Sequence, residues 1–297
     1  MSWLERYNRN KKTLINANLY DPSQEHDACG VGFIASIDGI PNRRVVISGI
    51  EALKAVWHRG AVDADGKTGD GAGIHVEIPK LFFEEEVKKT GHEIMEGDLG
   101  IGMIFLPRND YSALEKCRTI VESELLNHGY YIYGWRQVPL DTSVLGRKAN
   151  STRPEIEQVM FVNNIEREKE EDLDKELFFI RRKIEKRILN LQISEFYICS
   201  LSFNTVIYKG LFLAEHLSTF FPDLEDERFI SSFSIFHQRY STNTFPSWAL
   251  AQPFRTLAHN GEINTISGNS NWMRNHETRI ASELFGENSD QVKPIII

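Results

Sequence analysis

One cysteine in this chain stands where a nucleophile could work. Cys29 is followed by Gly30, Val31 and Gly32, and then by an apolar run that is typical of a strand. Because glycine has no side chain, another group can approach the backbone beside the sulfur closely. If the chain were cut after Ala28, the freed α-amine of Cys29, with a pKa near ~7.7–8.0, could serve as general base for its own thiol. A thiol in this position could act as a nucleophile.

The alternative for this cysteine is a place in the core, because free cysteine is among the most buried residue types. Cys117, in a helical pattern, and Cys199, in an apolar strand pattern, are both interpreted as core residues. The cysteines form no CxxC pair and show no Cys/His ligand spacing, so neither a disulfide framework nor a metal site is predicted. We therefore expect a reducing, cytoplasmic compartment.

Three further clusters combine polar side chains at the ends of predicted elements. They span residues 57–60, 237–244 and 259–264. A thiol acyl transfer needs an oxyanion hole, and Asn260 followed by Gly261 offers a side-chain amide next to a backbone N–H. A small zwitterionic substrate needs an arginine fork for its carboxylate, and Arg239, followed closely by hydroxyl side chains, is a candidate.

Each of these clusters also has a purely structural interpretation. Asn-Gly is more often a hairpin turn, and Arg59 and Arg239 could form structural ion pairs. The clusters also contain three histidines: His58, His237 and His259. They could pair with Cys29, but an α-amine on Cys29 would make a histidine base unnecessary, so we predict structural roles for them. The functional interpretation depends on whether the clusters meet in space.

Two kinds of element must position these clusters. Apolar and alternating patterns predict strands over 30–37, 74–78, 99–106, 130–138, 155–163, 196–201, 205–208, 230–237, 254–258 and 292–297. Helical spacing predicts helices over 48–58, with Ser48 as N-cap, and over 111–126, 168–189, 214–219 and 271–284. The alternation of antiparallel-type strands with a few long helices predicts two sheets between helices, an α+β domain.

The composition excludes several classes of protein. The chain has 297 residues, enough for one large domain, and its net charge of -8 with no basic stripe argues against a nucleic-acid surface. No run approaches the ~20 apolar residues of a membrane span. Residues 1–28 lack the apolar region of a secretory signal and are interpreted as a leader.

In order and separation, the clusters resemble those of the amidotransferase (glutaminase) domain of the glutamate synthase large subunit. That domain is a class II glutamine amidotransferase of the N-terminal-nucleophile hydrolase fold. The matching stretches are residues 19–22, 26–33, 68–73, 209–210, 217–218, 221–224, 237–244, 259–264 and 271–274. The resemblance implies a four-layer αββα sandwich, with residues 1–28 as a leader and 29–297 as an amidotransferase domain that would continue past Ile297.

The resemblance also implies which groups carry out the reaction. The leader would be removed to expose Cys29, whose thiolate would attack the side-chain amide of L-glutamine. Asn260 and the Gly261 N–H would hold the oxyanion. The products would be ammonia and, after hydrolysis of the thioester, glutamate.

Four further residues would bind substrate or order the site. Arg239, with Thr242 and Asn243 nearby, would bind the backbone groups of glutamine. Arg59 would lie beside the nucleophile and help to order it. No metal is implied for this site.

In complete members of this family, the ammonia would pass to synthase domains of the same polypeptide, where 2-oxoglutarate is reductively aminated. Those domains would use FMN, a 3Fe–4S cluster and a reduced electron donor, and a small NADPH-oxidising subunit is a further candidate partner. For the present residues no cofactor, nucleic acid or membrane is expected. Two alternatives stay open: a class II amidotransferase with another acceptor, or an unprocessed, catalytically silent module that binds glutamine.

Overall fold

A computed structural model of the chain describes residues 3–18, 21, 23, 30–163, 173–238, 245–259, 265–280, 286, 290 and 292–296. In this part, eight strands form two antiparallel sheets. The strands are β1 (Val31–Ala35), β2 (Ala72–Glu77), β3 (Asp98–Leu106), β4 (Tyr131–Gln137), β5 (Glu155–Asn163), β6 (Tyr197–Ser202), β7 (Thr205–Gly210) and β8 (Phe233–Gln238). The first sheet has the order β1-β8-β2-β7, and the second has the order β4-β5-β3-β6.

Eight α-helices accompany the sheets in the described residues. They are α1 (Trp3–Asn16), α2 (Arg43–Ala55), α3 (Lys80–Lys89), α4 (Tyr111–Asn127), α5 (Arg147–Ser151), α6 (Leu173–Asn190), α7 (Leu217–Phe220) and α8 (Ile266–Glu277). Short 3-10 helices lie at Trp57–Arg59, Thr142–Val144, Ala214–His216 and Pro222–Glu225. Among the described helices, none has the length and apolar character that a bilayer crossing requires.

The second sheet is buried on both faces. Successive side chains of a strand point to opposite sides, and a separate core covers each side. Along β3, Ile101, Met103 and Phe105 join the core that includes the first sheet, whereas Ile104 and Leu106 join the core formed with α4 and α6. Both sets leave water on folding, which is the main stabilising contribution. The predicted α+β class with two antiparallel sheets is confirmed.

Helix α2 packs against β1 and β8 on the first sheet. Gly49 allows this close packing, since a Cβ there would lie 2.1 Å from the Oγ of Ser234. At the second sheet, the helix predicted over 168–189 is confirmed from Leu173 onward as α6, where Leu177, Ile180 and Ile184 are fully buried. Residues 168–172 of that prediction lie outside the described residues.

Helix α2 begins earlier than predicted. Asn42 rather than Ser48 caps it, and the Asn42 Oδ1 accepts a hydrogen bond from the Val45 N–H at 3.1 Å. The helix ends at Ala55, three residues before its predicted end, and the following 3-10 helix turns Trp57 into solvent. The spacing of apolar residues could not show where the α-helix ends and the 3-10 helix begins.

Two predicted strands are not strands in the described structure. Residues 254–258 contain a bend, and the Phe254 N–H donates to the Leu257 carbonyl at 2.9 Å. Residues 292–296 also lack strand pairing, and the Arg182 guanidinium donates to the carbonyls of Val292, at 3.2 Å, and Pro294. In both places the backbone groups find partners other than a neighbouring strand.

Three α-helices, α1, α3 and α5, were not predicted, and α8 is displaced. Helix α3 was not predicted, because the charges of residues 84–86 interrupt the pattern of its buried Phe82, Phe83 and Val87. Helix α8 begins at Ile266, five residues before its predicted start, and ends at Glu277, although residues 281–284 of that prediction lie outside the described part. Cys117 and Cys199 are buried as predicted, and burial raises their thiol pKa values to about 11 and about 12.

Candidate active site

The predicted site residues can be located mainly through their neighbours. Arg59 lies in the described part of the chain, half-buried in the 3-10 helix after α2. The other six lie outside the described residues: Cys29, Arg239, Thr242, Asn243, Asn260 and Gly261. The structure does describe Gly30, Gln238 and His259, which are covalently next to Cys29, Arg239 and Asn260.

The last residue of β8 joins two of the predicted clusters. The Gln238 backbone N–H donates a hydrogen bond of 2.6 Å to the carbonyl of Gly30. Because β1 begins at Val31 opposite His237, the chain that follows Cys29 enters the first sheet beside the residue that precedes Arg239. These two clusters therefore meet at one end of the first sheet.

The Gln238 side chain reaches the third cluster. A Cβ on Gly60 would lie 1.9 Å from the Gln238 Nε2, so the glycine after Arg59 is required for this approach. Gln238 is buried, and its Oε1 has no hydrogen-bond partner among the described residues. A buried amide oxygen without a donor is costly, which fits a place where a further group is bound.

The fourth cluster is held by the neighbour of Gln238. The His237 Nε2 lies 2.7 Å from the carbonyl oxygen of His259, the residue before Asn260. Since a carbonyl oxygen can only accept, Nε2 carries the proton and donates. The His259 N–H donates in turn to the Gln252 Oε1 at 3.2 Å. The predicted structural roles of His237 and His259 are consistent with these contacts, whereas His58 is exposed.

A folded loop closes this end of the sheet. Between α2 and β2, Ala61 and Asp70 are joined by a backbone hydrogen bond of 3.2 Å, and the Asp70 carboxylate accepts the Ala61 N–H at 3.0 Å. Asp65 accepts hydrogen bonds from the Thr68 hydroxyl and N–H, and these bonds hold the pKa of its carboxyl well below the ordinary range. The Thr68 Oγ1 accepts the Ala149 N–H at 3.2 Å, which fixes the loop to α5.

A recess of about 250 Å³ lies beside this loop. Its walls include Ala61, which is close to Arg59 in sequence, and Pro246, which follows the cluster of Thr242 and Asn243. Its volume is below the 300–1,000 Å³ of most drug-sized ligand sites, so it would suit a small molecule. A larger and shallower recess of about 700 Å³, between α4 and the end of α6, lies away from the four clusters. The described residues contain no group of three or more His, Cys, Asp or Glu side chains that could hold a metal ion.

Sequence reasoning missed three residues at this end of the sheet. Lys209 is buried in β7, although lysine is almost never fully buried without partners, and its Nζ donates to the carbonyls of Ala249 and Ala251. Gln238 and Gln252 are buried amides with no predicted role. The available signal was the position of Lys209, which directly follows the predicted strand 205–208 and lies in one of the stretches that carry the family resemblance.

Comparison with known proteins agrees with this geometry. The family of class-II glutamine amidotransferases matches residues 29–297. The chain is 61% identical over 290 residues to the glutamate synthase [NADPH] large chain of Azospirillum brasilense, which covers 98% of this chain and 19% of that protein. It is 42% identical over 285 residues to the ferredoxin-dependent glutamate synthase of Pyropia yezoensis, covering 94% of this chain and 18% of that protein.

A third relative is the glutamate synthase [NADPH] large chain of Bacillus subtilis, 38% identical over 281 residues, covering 94% of this chain and 18% of the relative. The chain therefore belongs to the class-II glutamine amidotransferases and is a glutaminase-type enzyme domain. It spans less than a fifth of the length of these curated relatives.

Proposed function

We propose that this chain hydrolyses the side-chain amide of L-glutamine with Cys29 as the nucleophile. The observation that carries the proposal is the double contact of Gln238, whose backbone meets Gly30 and whose side chain meets Gly60. Together with the hydrogen bond from His237 to His259, this contact brings residues of all four clusters to one end of the first sheet. The spacing of the clusters in the sequence did not show whether they lie close together in the fold.

The chemistry assigned to Cys29 balances within the site. The thiolate adds to the amide carbon, and the α-amine that receives the thiol proton passes it to the departing ammonia. Asn260 and the Gly261 N–H stabilise the negative charge that develops on the carbonyl oxygen. Water then hydrolyses the thioester, releases glutamate and restores the thiol.

Substrate recognition is assigned to the arginine clusters. Arg239, supported by Thr242 and Asn243, binds the carboxylate and other backbone groups of glutamine, since a guanidinium matches a carboxylate with two hydrogen bonds. Arg59 orders the nucleophile. The recess beside Ala61 supports this assignment through its size and position.

We further propose the four-layer αββα arrangement of N-terminal-nucleophile hydrolases. Support comes from α2 on the first sheet, from α4 and α6 on the second sheet, and from the shared core between the sheets. Residues 1–28 are proposed to be a leader and 29–297 the amidotransferase domain. Buried, unpaired Cys117 and Cys199 suit a reducing compartment, for which we propose the cytoplasm.

For the whole protein we propose the glutamate synthase reaction, in which ammonia from this domain reacts reductively with 2-oxoglutarate in synthase domains. The names of the three relatives specify NADPH in two cases and ferredoxin in the other. The two described cysteines are both buried in the core and do not fit a 3Fe–4S cluster, so we assign FMN and the cluster to the synthase domains. A small NADPH-oxidising subunit would be a further partner.

One observation favours the silent-module alternative for the unprocessed chain. Helix α1, within the proposed leader, forms an ion pair with α2, between the Arg6 guanidinium and the Glu51 carboxylate at 3.2 Å. A leader that stays in place would leave Cys29 without a free α-amine. Glutamine could then bind without being hydrolysed.

The test combines the N-terminal residue with ammonia release. In the protein expressed at its natural length, we expect an intact mass that begins at Cys29 and release of ammonia from glutamine. Cys29→Ala should abolish the release, and the core variant Cys117→Ala should retain it. Hydrolysis by Cys29→Ala would overturn the proposal. Retention of Met1 to Ala28 with glutamine binding but no ammonia would favour the silent module, and faster hydrolysis of asparagine or acyl amides would favour another amidohydrolase.

A further inference from the structure

The segment from Ala249 to His259 leads directly into the proposed oxyanion residue. It contains no helix or strand, yet Ala251 and Gln252 are buried. A segment without a backbone ladder must be held by side chains or by other backbone groups. The contacts that hold this segment determine the position from which the chain continues to Asn260.

Three neighbouring strands present a row of residues to this segment. His237 of β8 pairs with Gly73 of β2, and Gly73 pairs with Lys209 of β7, so the three lie side by side on one face of the first sheet. A Cβ on Gly73 would lie 2.7 Å from the Gln252 carbonyl oxygen. The segment therefore crosses the sheet over the glycine and between the two longer side chains.

Lys209 fixes the first part of the segment. Its Nζ donates to the carbonyls of Ala249 and Ala251 at 2.8 and 2.7 Å, and it lies 4.6 Å from the ring centre of Tyr197 and 4.9 Å from that of Phe254. The aromatic faces attract the cation. Burial still lowers the pKa of Lys209 to about 8, which means that keeping its ammonium charged in the core costs free energy. An apolar side chain of equal length would avoid that cost but could not bind the two carbonyls.

His237 fixes the last part. Its Nε2 donates to the His259 carbonyl at 2.7 Å, and Gln252 accepts the His259 N–H at 3.2 Å. The His259 carbonyl shares one planar peptide unit with the nitrogen of Asn260. A hydrogen bond to that oxygen therefore fixes the orientation of the peptide plane that contains the Asn260 nitrogen.

We propose that His237 and Lys209, with Gln252, are positioning residues that hold the segment 249–259 and thereby place Asn260 and Gly261 for oxyanion binding. The inference rests on the proposed function. None of the three residues needs to contact the substrate. Their effect on the reaction would come through the placement of the oxyanion donors, so it should fall on the transition state more than on bound glutamine.

The first test compares His237→Met with His237→Gln in the protein expressed at its natural length. The two side chains have similar length, but glutamine keeps an N–H donor near the position of Nε2 and methionine does not. We expect His237→Met to lower kcat for ammonia release by about 10- to 100-fold, as for a misplaced catalytic donor, with KM changed by less than about threefold. His237→Gln should recover most of the activity.

A second measurement separates positioning from general damage. Iodoacetamide alkylates a thiol by displacement at a saturated carbon, so no oxyanion forms and Asn260 is not needed. The alkylation rate of Cys29 should therefore be the same in His237→Met and in the parent. A parallel loss of alkylation and hydrolysis would overturn the positioning role, because it would place the damage at the nucleophile.

Three further variants complete the test. Lys209→Met should reproduce the loss of kcat and Lys209→Arg should retain more activity, which keeps the test available if His237→Met does not fold. His75→Leu is the matched control, since His75 is a buried histidine on the same face of β2 but outside the row. It should keep the parental kcat. Full activity of both His237→Met and Lys209→Met would overturn the inference.

Hydrogen exchange distinguishes this inference from the proposed function. If the parent released no ammonia, the proposed function would fail, but the hold on the segment could still be measured. Faster backbone exchange at residues 259–261 in His237→Met than in His75→Leu would support the positioning role. Equal exchange in the two variants would overturn it.

Discussion

The side-chain amide of Gln238 lies directly against Gly60, where a Cβ would be 1.9 Å from Nε2. The Gly60 backbone, at φ -77° and ψ 156°, is open to any residue, so a substitution there acts through sterics alone. Gln238 is 1% exposed and cannot swing into solvent. The contact links the strand that leads to Arg239 with the turn that contains Arg59.

We predict that Gly60→Ala displaces this amide and lowers ammonia release. Overpacking of this kind costs about 1–3 kcal/mol of unfolding free energy, and we expect roughly a tenfold loss of kcat/KM. Steady-state kinetics and urea unfolding would measure the two effects. Gly268→Ala, in α8, where the nearest atom to a new Cβ is 3.8 Å away, is the control: it should leave kcat/KM unchanged and, because alanine favours a helix, should not lower the unfolding free energy.

The double variant Gly60→Ala/Gln238→Ala tests whether the contact is responsible. Shortening Gln238 makes room for the new methyl group, so the two substitutions should not be additive. The double variant should be no less stable than Gln238→Ala. Purely additive losses would show that Gly60 matters for another reason.

A buried ion network supports a second prediction. Arg136 donates two hydrogen bonds of 2.7 Å to the Asp223 carboxylate and one of 2.7 Å to Glu86, and all three side chains are nearly buried. Arg136→Met leaves the buried Asp223 carboxylate without its cation, whereas Glu86 keeps its ion pair with Lys89. Removing one partner of such a network costs about 3–5 kcal/mol of unfolding free energy, which denaturant unfolding at pH 7 would measure.

The exposed pair of Lys148 and Asp63, joined at 2.6 Å, provides the control for Arg136. Lys148→Met should change the unfolding midpoint little, because an exposed pair is screened by solvent. Arg136→Lys should fall between Arg136→Met and the parent, since an ammonium cannot reproduce the two parallel bonds to Asp223. Equal midpoints for Arg136→Met and Lys148→Met would contradict the prediction.

The second sheet and its helices could be predicted well because their signals are local. Strand β5 has the predicted bounds of 155–163, and α4 begins at Tyr111 as predicted. Each of these elements carries its own period of apolar residues, and both faces of the sheet are covered by neighbours. Residues close in sequence were enough to define them.

The candidate site could be predicted only as separate clusters. Gln238 meets Gly30 and Gly60 across about 200 and 180 residues of chain, and no local period reports such contacts. Lys209 presents the same problem, because the sequence pattern gives no sign of the two carbonyls and two rings that surround its ammonium. The residue types were visible, but their partners required the fold.

His75 supports a third prediction, on pH. Its side chain is 8% exposed, its Nε2 has no hydrogen-bond partner among the described residues, and its ring meets Phe233 edge-on. Burial disfavours the imidazolium and lowers the pKa of His75 from 6.5 to about 4. Between these pH values the unfolded chain binds a proton that the native protein does not. Stability is therefore lost as pH falls from 6.5 towards 4.

The loss assigned to His75 is about 3 kcal/mol of unfolding free energy over that pH range. His75→Leu removes the titrating group, so the difference in stability between His75→Leu and the parent should grow by this amount as the pH is lowered. Urea unfolding at several pH values would measure it. The exposed His276 provides the control, and His276→Leu should not reproduce the effect. A constant difference between His75→Leu and the parent would contradict the prediction.

The last prediction separates stability from function with two strand glycines. A Cβ on Gly73 would lie 2.6 Å from the Lys209 Cβ and 2.7 Å from the Gln252 carbonyl oxygen, whereas a Cβ on Gly102 would lie 2.6 Å from the Val159 Cγ1 in the second sheet. Both alanine variants are overpacked and should lose about 1–3 kcal/mol of unfolding free energy. Only Gly73→Ala pushes the segment that leads to Asn260.

At a temperature where both variants are folded, Gly73→Ala should therefore lower kcat for ammonia release, and Gly102→Ala should not. Activity would be divided by the folded fraction measured by near-UV circular dichroism, so that lost stability does not count as lost function. Equal activities per folded molecule would mean that the segment over Gly73 can shift without moving the oxyanion donors. A selective loss in Gly73→Ala would tie the reaction to the backbone contact between β2 and Gln252.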